Sequence, residues 1–250
     1  MKIITFADMD YVQLKKQCIG WIRNWFESNG KDCCAVIGMS GGKDSTVAAA
    51  LCAEALGKER VVGVAMPAEG QSLNEADEIC KYLGIRYICA PIGDIIRGFD
   101  TVKAEISEGL SHQAEQNIPP RVRMATLYAI SQSLGGRVAN TCNLSEDWIG
   151  YATRWGDNVG DFSPLSGLTV QEVKGVGHAL GLPDRWVEKI PDDGLPHSCS
   201  DEEKFGFTYA VLDRYIRTGV CDDPATKEKI DRMHRNNTFK LSMPEGFKPF

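Results

Sequence analysis

Three runs of residues that favour strands, separated by segments with helical spacing, dominate the N-terminal part of the chain. The runs cover residues 33–39, 61–66 and 85–90, and the first two are apolar without polar alternation. This pattern is typical of strands that are buried on both faces of a sheet. Helical segments at 46–56 and 73–83 separate the runs, and this order predicts parallel strands joined by right-handed crossovers. We therefore predict an α/β fold, a doubly wound parallel sheet with helices on both faces.

The rest of the chain adds further helices, a fourth strand and two long loops. An amphipathic helix at 11–26 precedes the first strand and is stopped by Gly30. Loops rich in Gly, Pro, Ser and Asp cover 156–168 and 191–200, and loops of this length are commonly functional or mobile. Further helices are predicted at 121–134, 170–180 and 202–216, and the fourth strand at 138–141.

Length and composition are those of an ordinary globular protein. The chain has 250 residues, of which 43% are hydrophobic and 25% are charged, and this balance excludes the disordered and fibrous classes. Because one α/β domain fits this length, we expect a single domain over 1–250. Its N-terminal helix falls within 1–30, and 220–250 is expected to form a C-terminal tail.

Charge and cysteine content indicate a cytoplasmic protein that does not bind nucleic acid or a membrane. The 34 acidic and 28 basic residues give a net charge of −6, which argues against binding to a nucleic-acid backbone. No apolar run approaches the roughly 18 residues of a membrane span, and residues 1–10 lack the apolar segment of a secretory signal. The nine cysteines contain no C-x-x-C pair, so we expect reduced thiols rather than disulfides or a zinc site.

A polar, glycine-rich turn with the sequence SGGKDS follows the first predicted strand at residues 40–45. In an open α/β sheet the ligand lies at the carboxyl ends of the strands, where helices begin. Two glycines allow backbone N–H groups to point at an anion above the next helix, and two serine hydroxyls add neutral donors. Asp44 would repel a phosphate there unless a divalent cation lay between them, and Mg²⁺ prefers such oxygen ligands. The turn therefore predicts a site for phosphate and Mg²⁺.

Two better-known phosphate-binding motifs do not fit the chain. The Walker A motif requires glycine where Ile37 stands, and Ser or Thr where Asp44 follows Lys43. The segment 175–180, with the sequence GVGHAL, lacks the third glycine of the dinucleotide fingerprint and interrupts a helical pattern instead of following a strand.

The SGGKDS turn resembles the PP-loop of the N-type ATP pyrophosphatases, which cleave ATP between the α and β phosphates and transfer AMP to an acceptor. Five further segments, in order along the chain, resemble motifs of the NAD synthetases. The resemblance covers about residues 38–235 and implies a fold like that of the adenine nucleotide alpha hydrolases. The five segments are 117–124 (NIPPRVRM), 140–146 (NTCNLSE), 150–157 (GYATRWGD), 201–209 (DE, then G and Y) and 234–235 (HR).

The NAD synthetase resemblance implies a reaction in two steps. ATP adenylylates the nicotinate carboxylate of deamido-NAD and releases pyrophosphate, and ammonia then displaces AMP to give NAD. The order is chemically reasonable, because a carboxylate is a poor electrophile until a good leaving group is attached. The resemblance further implies a homodimer with the dinucleotide near the subunit boundary. Because a glutaminase domain would need many more residues, we expect free ammonia to be the direct nitrogen donor.

The resemblance also implies roles for individual residues. Asp44 and Glu146 are expected to form the catalytic pair and to hold Mg²⁺. The residues expected to bind ATP are Gly38, Met39, Ser40, Gly41, Gly42, Lys43, Asp44, Ser45, Thr141 and Lys189. The residues expected to bind deamido-NAD are Arg121, Arg154, Asp161, His234 and Arg235.

Four positions depart from the family pattern. Val170 stands where many members have a lysine that contacts ATP, and Asp192 replaces a hydroxyl residue. Lys43 replaces an apolar or amide residue, and it either adds positive charge for phosphate or points to solvent. Asn140 replaces glycine. Since Asp44 and Glu146 are both present, these changes indicate a divergent branch rather than a lost activity.

Two alternatives remain open from the sequence. One is another PP-loop enzyme, such as a tRNA thiolase or the synthetase part of GMP synthetase, although the thiolases usually carry paired or catalytic cysteines. The other is a non-catalytic nucleotide-binding subunit of the same fold, which typically lacks the SGGKDS turn and a second carboxylate like Glu146.

Overall fold

A parallel sheet forms the centre of the computed structural model, which describes residues 6, 9–71, 74–189, 200–244 and 246–247. The order of the strands is β3-β2-β1-β4, and Val36 of the first strand pairs with Val62 on one side and Val138 on the other. β2 and β3 therefore lie on one side of β1, and β4 lies on the other. Ligands of such sheets bind beside the strand at which the strand order reverses, here β1. The strands are β1 (Cys34–Gly38), β2 (Val61–Ala65), β3 (Arg86–Cys89) and β4 (Gly136–Val138).

Helices fill the connections between the strands and continue after the last one. Two short 3₁₀ helices, Lys58–Arg60 and Thr238–Leu241, supplement them. The α-helices of the described residues are α1 (Tyr11–Asn29), α2 (Lys43–Leu56), α3 (Asn74–Leu83), α4 (Gly93–Arg97), α5 (Phe99–Glu105), α6 (His112–Ser133), α7 (Leu144–Ile149), α8 (Val170–Ala179), α9 (Asp184–Val187), α10 (Asp201–Phe205), α11 (Tyr209–Thr218) and α12 (Pro224–Asn237).

The two faces of the sheet bury separate hydrophobic clusters, because neighbouring strand residues point to opposite faces. On one face, Ile37 belongs to a cluster that includes Phe26 of α1 and Leu51 of α2. On the other face, Val36 belongs to a cluster that includes Leu127 of α6 and Ile92. Helices thus cover both faces, and the predicted doubly wound α/β fold is confirmed.

A third hydrophobic cluster lies outside the sheet and joins helices from the second half of the chain. Ile149 of α7, Leu212 of α11 and Ile230 of α12 are buried in it. Val170, at the start of α8, belongs to the same cluster and is 3% exposed. A lysine at this position would have to be buried here, so an apolar residue suits the site.

The fourth strand was predicted at 138–141, but the structure places it at Gly136–Val138. After β4, the chain turns to the loop that includes Phe162. The N–H of Asn140 donates to the carbonyl of Phe162 at 2.8 Å, and Ala139 forms an isolated bridge with the same residue. Thr141 therefore lies beyond the strand, in the segment that leads to α7.

Several helix boundaries also differ from the predicted ones. The helix expected at 121–134 begins at His112 and continues through Pro119 and Pro120, although each proline removes one helical N–H donor. The helix expected at 202–216 is two helices, because Gly206 adopts φ 73° and ends α10. Such a left-handed conformation is the common glycine stop of a helix.

The predicted loops and the predicted tail have different outcomes. Residues 156–168 form a loop, as expected, whereas 190–199 lie outside the described residues. The region 220–250, expected to be a tail, contains the 14-residue helix α12. Among the helices of the described residues, none combines the length and the apolar character needed to cross a membrane.

Candidate active site

The predicted phosphate-binding turn lies at the carboxyl end of β1 and leads directly into α2. Gly41 adopts φ 81°, which favours glycine, and a Cβ there would lie 3.2 Å from Glu75 Oε2. The hydroxyls of Ser40 and Ser45 lie 3.3 Å apart, and Ser45 donates to the carbonyl of Gly42 at 3.2 Å. The residues therefore form a tight, hydroxyl-lined turn.

The N-terminus of α2 lacks a capping side chain. Its N-cap residue is Gly42, which provides no side-chain oxygen for the first N–H groups of the helix. Uncapped N–H groups and the positive end of the helix dipole attract anions. Lys43, Asp44 and Ser45 lie in the first turn, whereas the sequence predicted them in the preceding loop.

Asn143 links the two predicted metal-binding carboxylates. Its side-chain amide donates to Asp44 Oδ1 at 3.0 Å, and its backbone N–H donates to Glu146 Oε2 at 3.1 Å. Asn143 is fully buried and caps α7, because its Oδ1 accepts from the N–H of Ser145 and of Glu146. The structure thus brings together side chains that are far apart in the sequence. Their roles as metal ligands remain predictions.

The electrostatics of this pair favour a cation. Burial, followed by the charge of Asp44, raises the pKa of Glu146 to about 8, because two nearby carboxylates resist ionising together. The described residues contain no group of three or more His, Cys, Asp or Glu side chains that could hold a metal. The oxygen-rich pair nevertheless suits Mg²⁺, which commonly uses one or two carboxylates together with substrate phosphates and water.

Lys43 does not point to solvent. It is 4% exposed, its Nζ lies 2.9 Å from Asp44 Oδ2, and it lies 6.0 Å from the centre of the Tyr209 ring. Although burial lowers the pKa of Lys43, the nearby carboxylates, led by those of Asp44 and Glu146, outweigh it and raise the pKa. The ammonium group is therefore charged and is part of the acidic site.

Lys189 reaches the glycine turn through Glu75. Its Nζ donates to Glu75 Oε2, and the side chain of Glu75 lies against Gly41. The structure thus places Lys189 near the turn, and its predicted contact with ATP remains a prediction. Glu75 was not singled out from the sequence; the only available signal was its position in the first turn of a helix that follows a buried strand.

Thr141 lies three residues after the end of β4, in the segment that leads to α7. Thr141 is half-buried and follows Asn140, whose side-chain oxygen accepts from the N–H of Cys142 at 2.8 Å. Thr141 is therefore two residues from Asn143, which contacts Asp44. Its predicted contact with ATP fits this position and remains a prediction.

The structure brings Arg121 and Arg154 together at a second part of the candidate site. Nε of Arg121 donates to the carbonyl of Arg154 at 3.4 Å. The guanidinium of Arg154 lies 5.1 Å from the ring centre of Trp155 and 5.0 Å from that of Phe239. Two positive charges and two aromatic rings could bind phosphate and stack with a flat base.

Three buried polar side-chain atoms lack a hydrogen-bond partner within the described part of the chain. They are Nε of Arg154, Oδ1 of Asp147 and Nε1 of Trp148. Burial also raises the pKa of Asp147 to about 6. Unpaired polar atoms are costly in a protein interior, so each of the three is a candidate for a hydrogen bond to a polar ligand. Neither Asp147 nor Trp148 was singled out from the sequence.

The described contacts of the other predicted dinucleotide-binding residues are internal. Asp161 accepts from the N–H of Val138 at 2.7 Å and from the hydroxyl of Tyr128 at 3.3 Å. His234 stacks on Trp148 with ring centres 4.3 Å apart. Arg235 is exposed in the last turn of α12. These contacts hold neighbouring elements together, and the predicted ligand roles remain predictions.

Arg123 and Lys174 also have internal partners. Arg123 donates hydrogen bonds to the carbonyl of Met66 at 3.2 Å and to the side chain of Gln71 at 3.0 Å. Lys174, one helical turn after Val170, forms an ion pair with Glu188 at 2.8 Å.

A buried network fixes the helix that carries Glu146. Asp213 of α11 accepts from the hydroxyl of Ser145 at 2.5 Å and from the N–H of Gln171 at 2.9 Å. The hydroxyl of Ser145 also accepts from the N–H of Val170 at 3.0 Å. Three helices thus meet at a single carboxylate, which positions α7 without touching the site.

Known proteins resemble this chain in sequence and in fold. The sequence model of the NAD synthase family matches residues 14–244. An NH₃-dependent NAD⁺ synthetase of Pyrococcus furiosus is 39% identical over 227 residues, which are 85% of this chain and 87% of that protein. The structure of an NMN synthetase from Francisella tularensis superposes with a TM-score of 0.87 and 26% identity, covering 97% of this chain and all of that one. An NH₃-dependent NAD synthetase from Campylobacter jejuni gives a TM-score of 0.77 and 26% identity, covering 96% and 100% of the two chains.

Proposed function

The chain belongs to the NAD synthase family, and we propose that it amidates deamido-NAD with ammonia, using ATP and releasing AMP and pyrophosphate. The observation that carries the proposal is the placement of Asp44 and Glu146 around Asn143 at the end of β1. The family membership favours this reaction over tRNA thiolation, GMP synthesis and a non-catalytic role. Activation as an acyl adenylate converts a poor electrophile into one that ammonia can attack.

In this proposal, the glycine turn and the N-terminus of α2 bind the phosphates of ATP. The uncapped N–H groups of α2 and the hydroxyls of Ser40 and Ser45 would stabilise the departing pyrophosphate. Asp44 and Glu146 would hold Mg²⁺, which when bound supplies charge neutralisation on phosphate oxygens. The oxygen that attacks phosphorus belongs to the substrate, so the protein contributes mainly positioning and electrostatics.

The arginine pair is proposed to bind deamido-NAD. Arg121 and Arg154 would pair with its anionic groups, while Trp155 and Phe239 offer faces for stacking. The remaining members of the proposed dinucleotide site are Asp161, His234 and Arg235. ATP contacts are proposed for Gly38, Met39, Thr141 and Lys189.

We further propose that the whole chain acts as one catalytic domain in a cytoplasmic homodimer, with the dinucleotide near the subunit boundary. Free ammonia is the proposed nitrogen donor. Sedimentation equilibrium of the purified protein tests the dimer, and a fully active monomer at low concentration would contradict it.

Product analysis tests the proposed reaction. The protein is incubated with ATP, Mg²⁺ and deamido-NAD, with either ammonium or glutamine as the nitrogen source. We expect NAD, AMP and pyrophosphate in equal amounts with ammonium, and little NAD with glutamine. Release of ADP and phosphate, or amidation of xanthosine monophosphate in place of deamido-NAD, would refute the proposal.

One structural similarity favours nicotinate mononucleotide as a second acceptor of AMP. The TM-score with the Francisella NMN synthetase is 0.87, against 0.77 with the Campylobacter NAD synthetase. Nicotinate mononucleotide carries the same carboxylate as deamido-NAD. Measuring kcat/KM for both acceptors under identical conditions decides between them, and we expect the higher value for deamido-NAD because of the 39% identical NAD⁺ synthetase relative.

Replacing Lys189 with methionine is expected to raise the KM for ATP by roughly 10- to 100-fold, because one charge-assisted contact with ATP is lost. Because Lys189 lies beside the glycine turn, kcat should fall less than kcat/KM. Lys174→Met provides the control, since Lys174 pairs with Glu188 instead. Equal KM values for ATP in the Lys189 variant and the native protein would remove Lys189 from the ATP site.

A further inference from the structure

Lys43 is buried at the point where the proposed site concentrates negative charge. Lysine is rarely buried unless its charge is paired, and Lys43 is 4% exposed. Its Nζ donates to Asp44 Oδ2 at 2.9 Å. The ammonium group is therefore held inside the proposed site by a direct ion pair.

The surroundings of Lys43 are acidic on more than one side. Asp44 is its direct partner, and the carboxylates of Glu146 and Asp201 also act on it electrostatically. The face of the Tyr209 ring lies 6.0 Å from Nζ. Asp201 has other partners, since it accepts from the hydroxyls of Tyr151 and Tyr209. The ammonium group therefore neutralises mainly the two carboxylates that Asn143 joins.

We propose that the Lys43 ammonium group is the counterion of Asp44 and Glu146 while no nucleotide is bound, and that Mg²⁺ takes over this role when ATP binds. Lys43 thereby couples metal binding to ATP binding. The inference deepens the proposed function and rests on it. An ammonium group next to Asp44 repels a divalent cation and competes for its ligand oxygen. In the absence of ATP, metal affinity is consequently low.

ATP removes this competition because its phosphates bring several negative charges to the turn. The flexible amine of Lys43 can then pair with phosphate oxygens, which frees Asp44 Oδ2 for the metal. Each ligand thus favours the other, as thermodynamic linkage requires. The chain would take up metal together with nucleotide rather than before it.

The experiment measures Mn²⁺ binding, as a stand-in for Mg²⁺, from the electron paramagnetic resonance signal of the free ion. Titrations are made with and without α,β-methylene ATP, which cannot be cleaved between the α and β phosphates, and Mn²⁺ bound by the nucleotide alone is measured without protein and subtracted. Without nucleotide, Lys43→Met is expected to bind Mn²⁺ at least about 10-fold more tightly than the native protein, because one repulsive charge is removed. The increase in affinity caused by the nucleotide should shrink by a similar factor.

Thermal unfolding gives a second readout that needs no turnover. In Lys43→Met no ammonium group neutralises the negative charge of Asp44 and Glu146, so this variant should have a lower Tm than the native protein. Added Mg²⁺ without nucleotide should restore the Tm of the variant and leave that of the native protein nearly unchanged. Lys43→Gln is tested in parallel in case methionine impairs folding.

The controls separate this inference from the metal site itself. Lys174→Met removes the same charge from a lysine that pairs with Glu188 and not with Asp44, and should bind Mn²⁺ as the native protein does. Equal Mn²⁺ affinities of the native and Lys43 variants without nucleotide would overturn the counterion role, while nucleotide-dependent binding that Asp44→Asn abolishes would still support the metal site. If no protein bound Mn²⁺ even with nucleotide, both proposals would be wrong.

Discussion

Replacing Asp44 with asparagine is expected to lower kcat for NAD formation by roughly 100- to 1,000-fold, the usual effect of removing one group that stabilises transition-state charge. Asparagine has the same shape and can still accept from the side chain of Asn143. It cannot neutralise a divalent cation or pair with the Lys43 ammonium. The variant therefore tests the charge of Asp44 rather than its volume.

The fold of the Asp44→Asn variant should be preserved. Asp44 lies in the first turn of α2 and its side chain is 19% exposed. Removing its charge also relieves the repulsion that raises the pKa of Glu146. Far-UV circular dichroism and thermal unfolding check the structure, and pyrophosphate release checks the first chemical step. Asp77→Asn, in which a carboxylate that pairs with Lys81 is lost, is the matched control and should keep native activity. Native turnover in the Asp44 variant would exclude the proposed metal role.

The sequence was sufficient to predict the sheet and the position of the glycine turn. The first strands are apolar on both faces, and this pattern leaves few alternatives to a buried parallel sheet. Asp44 and Glu146 were predicted as a pair from the resemblance, and the structure links them through Asn143. Family membership is likewise confirmed.

Contacts between distant residues could not be predicted in the same way. The ion pair of Lys189 with Glu75 joins residues 114 positions apart, and nothing in the local pattern around either residue indicates it. The burial of Lys43 was also missed, because a lysine in a polar turn usually extends into water. Both results depend on how helices pack around the turn.

The second half of the chain was harder to predict because local signals there conflict with tertiary packing. Pro119 and Pro120 indicate a helix start, yet α6 extends through them. In α12 only Ile230 is buried, so its sequence lacks the apolar stripe by which helices are recognised. The β4 boundary shifted because Asn140 bonds to the loop at Phe162 instead of extending the sheet.

Asn143 is expected to be a residue whose loss lowers both stability and activity. Its side chain caps α7 and donates to Asp44, and it is fully buried. Asn143→Ala removes the cap and leaves buried donors unpaired, so we expect the free energy of unfolding to fall by about 2–4 kcal/mol. Because the variant no longer orients the proposed metal-binding carboxylates, activity should fall by roughly 10- to 100-fold.

Asn143→Ser separates these two effects. Serine caps helices about as well as asparagine, but it carries no amide to donate to Asp44. Urea unfolding should therefore show Asn143→Ser to be more stable than Asn143→Ala by about 1 kcal/mol, the usual value of a cap. Both variants should show the same loss of Mn²⁺ affinity in the presence of nucleotide. If serine restored Mn²⁺ affinity along with stability, the contact between Asn143 and Asp44 would matter only for folding, and the carboxylates would be positioned by other groups.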